Sequence, residues 1–441
     1  MAKVFENQNT YDVVVVGAGL SGLQAAQSVQ AAGFRVCILE AIDRVGGKTL
    51  TSKSSKRGFS DLGASWINDT NQSEMFKLYQ RYGLETETQR DCGDTLIQSA
   101  DGNVLKVPYG QLPVFRDECS LINLDNPTES NRAREIDQLT FREFCIQSAK
   151  SDEAANIADV LSASLLGVES DEVSALYMLL YFKSGAGIDN IISDEKNGGQ
   201  YLRCRQGNQT IAQKMADEIG PGVVFLHTPV TTIDYSQRGA CVVHTKSGRT
   251  FECRKVIVSI PTSLYHQITF SPRLPEKKLI YVFSEPWWHK ANLSGVLDSE
   301  KGPIVFSRDT SIAQDNQWSI TCFLTGDKGR NWSKLPRASR HRQAWKQFSQ
   351  SFGKFTEVPR PANTLEMEWT KEAFFLGAPC PITTPGVLSA VAGEIPTPVG
   401  KVHFVGTETS REWRGYMEGA IRSGLRGAAE VVKELDTASR L

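Results

Sequence analysis

The sequence lacks the features that mark membrane-spanning, secreted, metal-binding and nucleic-acid-binding proteins. No apolar run approaches the roughly 18 residues that a membrane-spanning helix needs. The N-terminal MAKVFENQNT has no apolar signal core, so we expect neither a membrane anchor nor secretion. The six histidines show neither H-x-x-x-H nor H-E-x-x-H spacing, which predicts no metal site. A net charge of −1 provides no basic excess for binding nucleic acid.

Signals for cysteine pairing are also missing. The nine cysteines are scattered and form no C-x-x-C pair, which indicates reduced thiols in an intracellular compartment. Of the 441 residues, 40% are hydrophobic and 22% are charged, as in a soluble globular protein. This length is sufficient for two or more domains.

The clearest positive signal is a dinucleotide-binding fingerprint near the N-terminus. Four consecutive valines at residues 13–16 predict a strand that is buried on both faces. The G-x-G-x-x-G that follows allows a tight turn, close approach of the backbone to a pyrophosphate, and close packing of a helix predicted over residues 20–32. The first N–H groups of that helix point at the pyrophosphate. The residues predicted to bind the dinucleotide here are Gly17, Gly19, Leu20, Ser21 and Gly22.

A carboxylate and a second glycine turn extend this fingerprint. The next predicted strand, RVCILE, ends at Glu40, roughly 20 residues after the glycines, where a carboxylate accepts both ribose hydroxyls. Glu40 disfavours a 2′-phosphate, which argues against NADP and leaves NAD and FAD. Gly46 and Gly47 then form a turn flanked by Arg44 and Lys48. A nicotinamide dehydrogenase has no obvious need for a further phosphate clamp, so this turn favours FAD.

The remaining sequence predicts further elements. Residues 76–202 are expected to be mostly helical, with a capping box at Thr140 and Glu143. Gly220 closes the predicted helix TIAQKMADEI, and strands with turn glycines should follow over residues 222–261. We expect most of a later group of tryptophans to pack in a core or interface. The group is Trp287, Trp288, Trp318, Trp332 and Trp345.

A second strand–loop–helix pattern lies near the end of the chain. The segment VHFVGTETSREWRGYMEGAIRSG begins with an apolar run at residues 402–405 that stops at Gly406. A polar TETS follows, then Trp413, Gly415 and Tyr416, and then a small-residue helix. Loops that leave a strand and enter a helix in this way often contact a ligand.

Three motifs together resemble those of the flavin-dependent monoamine oxidases, especially the soluble fungal type. They are VVVVGAGLSGL with Glu40 and DRVGGK, then SDLGASWIND, then FVGTETSREWRGYMEGAIRSG. The second glycine motif ends in Lys48, where the family usually has Arg, so the bidentate fork is lost. The resemblance, over about residues 11–432, implies an α/β fold in which a doubly wound, Rossmann-like FAD-binding domain is interleaved with an α+β substrate domain. The implied domains comprise residues 1–75, 203–265 and 385–441 for FAD, and 76–202 and 266–384 for substrate.

The resemblance implies FAD contacts from the later motifs as well. Val230 would meet the adenine, Glu408 would lie near the ribityl-pyrophosphate region, and the helix from Met417 would point at the isoalloxazine. Membrane monoamine oxidases bind flavin through a cysteine where this chain has Ala378, with Cys380 two residues later, so we expect non-covalent FAD. The implied contacts from these motifs are Ala64, Ser65, Trp66, Val230, Trp369, Gly406, Glu408, Tyr416 and Met417.

The implied reaction is oxidation of an amine. Flavin N5 accepts a hydride from the carbon beside the nitrogen, water hydrolyses the imine, and oxygen is reduced to hydrogen peroxide. Tyr416 would form one wall of an aromatic cage over the flavin. The residue that matches the second aromatic wall is Pro379, so the cage is half-built unless Phe374, Phe375 or a tryptophan replaces the missing ring.

Lys278 is the second candidate catalytic residue. In the family, a lysine that opens a strand ten residues before a tryptophan holds a water against flavin N5, and its charge stabilises reduced oxygen species. Lys278 has this spacing from Trp288. The helical segment that normally precedes the strand is missing here, so two alternatives stay open: Lys278 reaches N5, or the short connection pulls it away.

Two other functions remain open on sequence alone. The chain is alternatively an FAD-dependent desaturase or oxidative cyclase of a nitrogen-containing secondary metabolite, or a flavoprotein that binds FAD without turnover. The expected partners are a small amine and molecular oxygen, with no nucleic acid and no membrane, and a homodimer is a further possibility. The C-terminal tripeptide 439–441, Ser-Arg-Leu, is a close variant of the S-K-L address and predicts a peroxisomal location, otherwise a cytoplasmic one.

Overall fold

The computed structural model describes most of the chain. The described residues are 10–55, 57–99, 101–109, 122–124, 127–130, 132–150, 153–235, 240–268, 278–283, 285–391 and 395–439. No helix in these ranges is both long enough and apolar enough to cross a membrane.

The described segments contain strands, α-helices and short 3₁₀ turns. The strands are β1 (Thr10–Val16), β2 (Val36–Leu39), β3 (Thr51–Lys53), β4 (Phe59–Asp61), β5 (Trp66–Ile67), β6 (Thr86–Thr88), β7 (Asp94–Gln98), β8 (Val104–Pro108), β9 (Leu202–Cys204), β10 (Val224–Phe225), β11 (Val230–Asp234), β12 (Cys241–Thr245), β13 (Thr250–Val258), β14 (Lys278–Phe283), β15 (Leu293–Ser299), β16 (Phe306–Asp309), β17 (Trp318–Phe323), β18 (Asn363–Met367) and β19 (Val402–Phe404). The α-helices are α1 (Leu20–Ala31), α2 (Ser73–Tyr82), α3 (Ala133–Asp137), α4 (Phe141–Ala149), α5 (Glu153–Leu165), α6 (Ala175–Ser184), α7 (Ile188–Ile192), α8 (Gln209–Ile219), α9 (Trp287–Lys290), α10 (Gly326–Ser333), α11 (Arg337–Phe352), α12 (Leu388–Val391) and α13 (Met417–Ser439). The 3₁₀ turns span Pro127–Glu129, Thr262–Ile268, Ala313–Asp315, Trp369–Lys371 and Thr407–Thr409.

The first large sheet is built around β1. Its strand order is β10-β2-β1-β13-β12-β11, and β19 also pairs with β13. Strand β1 runs parallel to β2 and β13, and β19 is parallel to β13. The valines at residues 13–16 are buried, as expected for a strand covered on both faces. A Cβ at Gly424 of α13 would lie 2.4 Å from the carbonyl oxygen of Ser21, so only glycine lets α13 pack this closely on α1.

The second large sheet has the order β18-β14-β17-β16-β15-β7-β8. An aromatic core packs on it, in which Phe283 contacts Trp287 and Trp288 edge to face. Trp287, Trp288 and Trp332 are buried, while Trp318 and Trp345 are half-buried. These tryptophans therefore pack as the sequence predicts.

The prediction that residues 76–202 are mostly helical is wrong for residues 86–108. Strands β6, β7 and β8 lie there, and β7 pairs in parallel with β15 from a distant part of the chain. Such pairing is decided by tertiary contacts that local sequence does not contain. The predicted capping box is confirmed, because the Thr140 hydroxyl accepts from the Glu143 N–H at 3.1 Å and the Glu143 carboxylate accepts from the Thr140 N–H at 2.9 Å.

Other sequence predictions agree with the structure. Helix α8 ends at Gly220, whose φ of 99° is in the glycine-favouring region. Helix α13 begins at Met417. The strands of the first sheet fall in the ranges predicted for the FAD domain and those of the second in the ranges predicted for the substrate domain. The domain boundaries themselves stay a prediction.

Candidate active site

One cavity opens where the carboxyl ends of β1, β2 and β19 meet the N-termini of α1 and α13, and it continues between the two sheets. Helix N-termini present unpaired N–H groups, so this arrangement suits an anionic group. The cavity is lined by most of the residues that the sequence singles out. They are Gly17, Gly19, Leu20, Ser21, Glu40, Gly46, Gly47, Lys48, Ala64, Ser65, Trp66, Val230, Trp369, Gly406, Glu408, Tyr416 and Met417.

Glu40 is held rigidly at one end of the cavity. Its carboxylate accepts from the N–H of Ala18 at 2.6 Å and from the N–H of Ile42 at 3.1 Å. Burial raises the pKa of the Glu40 carboxyl, while these amide bonds act in the opposite direction. The side chain therefore keeps one orientation directly after β2, with the cavity beside it.

Two predicted cofactor residues, Gly22 and Arg44, lie outside the cavity lining and support its walls instead. A Cβ at Gly22 would stand 2.1 Å from the Gly17 oxygen, so α1 can follow β1 this closely only with glycine. The Arg44 guanidinium donates to the Gly47 oxygen at 2.9 Å and lies over the Phe375 ring at 5.8 Å. Arg44 thus braces the second glycine turn.

The two glycine turns pack against each other. The Gly46 N–H donates to the Ala18 oxygen at 2.8 Å, and a Cβ at Gly47 would lie 3.2 Å from the Gly19 Cα. A Cβ at Gly19, by contrast, would meet no atom within 4 Å. The backbone of Gly19 therefore faces open cavity, where a bound group can approach it closely.

At the opposite end of the cavity, Tyr416 belongs to an aromatic stack that the sequence did not predict. Its ring is stacked on Tyr181 of α6 at 6.0 Å and meets Trp413 edge to face at 4.9 Å. Gly415, with φ of 85°, allows this contact, since a Cβ there would lie 2.8 Å from the Tyr181 ring. Burial raises the pKa of both phenols, so both are neutral. No sequence motif marks Tyr181. Nearly every residue of α6 is buried, so burial does not distinguish Tyr181 from its neighbours.

The loop before α12 forms the facing wall, where a second aromatic was missing from the sequence. Ala378 and Pro379 line the cavity, and the Lys48 ammonium donates to the Pro379 oxygen at 3.0 Å. Cys380 is not part of the lining; its Sγ lies 3.6 Å from the Tyr177 hydroxyl, inside the helical core. Phe374 and Phe375 also line the cavity, as the sequence allowed.

The rest of the described lining is largely apolar or neutral. It includes Trp66, whose ring lies 6.1 Å from that of Phe323, together with Leu165 and the neutral polar residues Ser164 and Gln200. Among the described lining residues, the carboxylates are Glu40 and Glu408. Glu408 Oε1 accepts from the Thr262 N–H at 2.9 Å.

The backbone of Lys278 begins β14, as the sequence predicts. It is paired with Phe323 of β17, a cavity residue, and with Met367 of β18. The short connection before it, residues 269–277, lies outside the described residues, as does the position of its side chain. Its catalytic role stays a prediction.

Comparison with known proteins decides the family. The family model described as flavin containing amine oxidoreductase matches residues 20–432. This chain belongs to that family. It is 31% identical to a probable flavin-containing monoamine oxidase A of Dictyostelium discoideum, over 96% of this chain and 98% of that one. It is 30% identical to human amine oxidase [flavin-containing] B, over 96% and 86% of the two chains.

Solved structures show the same fold. Cyclohexylamine oxidase from Brevibacterium oxydans IH-35A matches with a TM-score of 0.88 and 27% identity over 97% of this chain and 99% of that one. Wild-type putrescine oxidase bound to putrescine matches with a TM-score of 0.86 and 24% identity over 96% and 99%. The predicted family and fold class are confirmed, and the chain is a flavin-dependent amine oxidase acting with an amine and oxygen. The fungal subtype stays a prediction.

Proposed function

We propose that the flavin is FAD, bound without a covalent link, and that the substrate is a monoamine with an uncharged tail. The observation that carries the cofactor proposal is that one cavity is lined by Glu40, by the first glycine turn and by Tyr416. The open space at Gly19 and the N-terminus of α1 suit a pyrophosphate. Glu40 suits the hydroxyls of an adenosine ribose.

When bound, the flavin supplies the acceptor for a hydride from the carbon beside the amine nitrogen. The protein's part is to orient the amine and exclude water from it. The Tyr416 and Tyr181 rings provide a buried aromatic surface, and a π face attracts the partly positive edge of an amine. Helix α13 begins at Met417, immediately after Tyr416, so its first N–H groups face the same end of the cavity.

The small number of carboxylates in the described lining supports the choice of substrate class. A second ammonium on a diamine would have to lose water in a cavity whose described lining has two carboxylates. Glu40 already accepts from the Ala18 and Ile42 N–H groups, and Glu408 accepts from the Thr262 N–H. Burying an unpaired charge costs several kcal/mol, as an order of magnitude. An apolar or aromatic tail meets no such cost.

A panel of amines tests the function and the substrate class together. We expect benzylamine, phenylethylamine and hexylamine to release hydrogen peroxide, and putrescine to react at least about tenfold less efficiently in kcat/KM. A second ammonium without a partner is the reason for that difference. Equal efficiency with putrescine and hexylamine would contradict the neutral-tail proposal. Flavin reduction only by a larger nitrogenous metabolite would favour the desaturase or cyclase, and FAD content without any reducing substrate would favour a non-catalytic flavoprotein.

Denaturation tests the non-covalent link. We expect acid precipitation to release all of the yellow colour into the supernatant, because Ala378 lines the cavity and Cys380 Sγ is packed against Tyr177. Absorbance at 450 nm and the intact mass of the protein measure this. The variant Ala378→Cys is the matched positive control, since it places a thiol in the lining. Colour that stays with the precipitated wild-type protein would overturn the proposal.

We further propose a peroxisomal location, supported by the tail Ser-Arg-Leu at residues 439–441, which resembles a receptor-read address. Residues 440 and 441 lie outside the described residues. A fluorescent protein fused in front of this chain should colocalise with a peroxisomal marker, and removal of Leu441 should move it to the cytosol. Import that persists without Leu441 would show that this tail is not the address.

A further inference from the structure

Trp413 combines deep burial with an unusual backbone. Its side chain is 2% exposed and its φ is 52°, in the left-handed region that bulky residues rarely adopt. Such a conformation is strained and persists only where surrounding contacts hold it. The contacts that hold the Trp413 backbone in this conformation therefore indicate its role.

Two hydrogen bonds fasten Trp413 to separate parts of the fold. Its backbone N–H donates to the oxygen of Ser184, the last residue of α6, at 2.8 Å. Its indole Nε1 donates to the Asn71 oxygen, in the loop before α2, at 3.0 Å. The residue is thus fastened to the end of α6, the helix that carries Tyr181, and to the loop before α2.

The other contacts of Trp413 lead to Tyr416. The Tyr416 N–H donates to the Trp413 oxygen at 3.0 Å, and the two rings meet edge to face at 4.9 Å and 78°. A Cβ at Gly419 would stand 2.3 Å from the Trp413 oxygen, so the first turn of α13 also presses on it. Tyr181 covers the Tyr416 ring from another direction, stacked at 29°. Tyr416 is therefore wedged between two aromatic rings.

We infer that Trp413 is a positioning residue that fixes the plane of the Tyr416 ring in the active site. Trp413 is not among the described residues that line the cavity, so we assign its effect to its contacts with Tyr416. The inference rests on the proposed role of Tyr416 as a wall of the amine site. Displacement of a reacting group by about 1 Å costs on the order of 100-fold in rate. A tilted Tyr416 ring would misplace the amine, so we expect it to lower the rate of flavin reduction by the amine.

A double-mutant cycle tests this, because residues that act through one another are not additive. The rate of anaerobic flavin reduction by the best amine is measured by stopped flow in wild type, Trp413→Leu, Tyr416→Ala and the double variant. We expect Trp413→Leu to slow reduction about tenfold or more in the wild-type background. In the Tyr416→Ala background it should change the rate less than about twofold, since no ring remains to be positioned.

Trp332→Leu is the matched control. Trp332 is also 2% exposed, and its Nε1 donates to a backbone oxygen, that of Arg340, at 2.8 Å. The same substitution there should lower thermal stability without a Tyr416-dependent effect on reduction. If Trp413→Leu loses flavin, Trp413→Phe replaces it in the cycle, because Phe is smaller than the indole, lacks its N–H donor to Asn71 and therefore holds the Tyr416 ring less firmly.

The outcomes distinguish failure of the positioning role of Trp413 from failure of the proposed function. An equal rate loss from the Trp413 change in both Tyr416 backgrounds would overturn the positioning role, because the effect would then be structural. Absence of a Tyr416-dependent effect for Trp413→Phe, with flavin retained, would overturn it as well. Failure of every amine to reduce the wild-type flavin would instead refute the proposed function.

Discussion

Replacement of Glu40 by alanine is expected to yield protein that has lost most of its flavin. In the proposed complex the carboxylate accepts two ribose hydroxyls, and each bond to a charged acceptor is worth about 1.5–3 kcal/mol. Since each 1.4 kcal/mol is about tenfold in affinity, FAD binding should weaken at least about a hundredfold. The change also leaves the Ala18 and Ile42 N–H groups without their present acceptor. The ratio of absorbance at 450 and 280 nm after gel filtration measures retention.

Asp137→Ala is a matched control for the loss of a buried carboxylate. Asp137 is fully buried and accepts from the N–H and hydroxyl of Ser389, but it does not line the cavity. It should lower thermal stability and leave the flavin content per folded protein unchanged. Glu40→Gln, which keeps one acceptor oxygen, should fall between wild type and Glu40→Ala. Full flavin occupancy in Glu40→Ala would refute the ribose assignment.

Replacement of Lys278 by methionine is expected to slow reoxidation of the reduced flavin by oxygen about a hundredfold, with a much smaller effect on anaerobic reduction by amine. A fixed positive charge stabilises superoxide or peroxide as negative charge develops, and removal of one such group typically costs about 10²–10³ in rate. The backbone of Lys278 supports the prediction because it begins β14 beside Phe323, which lines the cavity. Mixing reduced enzyme with oxygenated buffer measures the step.

Two further lysine variants make this experiment specific. Lys53→Met removes a charge from an exposed strand end and should leave both half-reactions unchanged. Lys48→Met removes the lysine that lines the cavity and donates to the Pro379 oxygen. If reoxidation is slowed by Lys48→Met and unaffected by Lys278→Met, the oxygen-activating charge has been assigned to the wrong lysine.

Part of the site could be predicted because its constraints are local. At the first glycine turn, Gly17 has a φ of 99°, which favours glycine, and a Cβ at Gly22 would lie 2.1 Å from the oxygen of Gly17, only five residues earlier. Glu40 directly follows β2. Because β1 and β2 are parallel neighbours, Glu40 and the first glycine turn lie at the same edge of the sheet. The constraints near the end of the chain are local as well, because Gly415, Tyr416 and the start of α13 are consecutive in sequence.

Other features could not be predicted in this way. Strand β7 is aligned in parallel with β15 only in the folded chain, although β7 also pairs with its sequence neighbour β8. Arg44 looked like a phosphate clamp, yet its guanidinium is directed to the Gly47 oxygen and the Phe375 ring. The direction of a long flexible side chain is set by the partners that folding brings near it.

The amino-acid sequence alone was enough for the family, the fold class and the residues of the glycine turns, because short-range geometry leaves these motifs few alternatives. Tertiary structure alone placed Tyr181 on Tyr416, turned Cys380 away from the cavity, and anchored Trp413 between Ser184 and Asn71. These contacts join side chains from separate helices and loops. They depend on which faces meet when the helical core packs, and no local spacing records that choice.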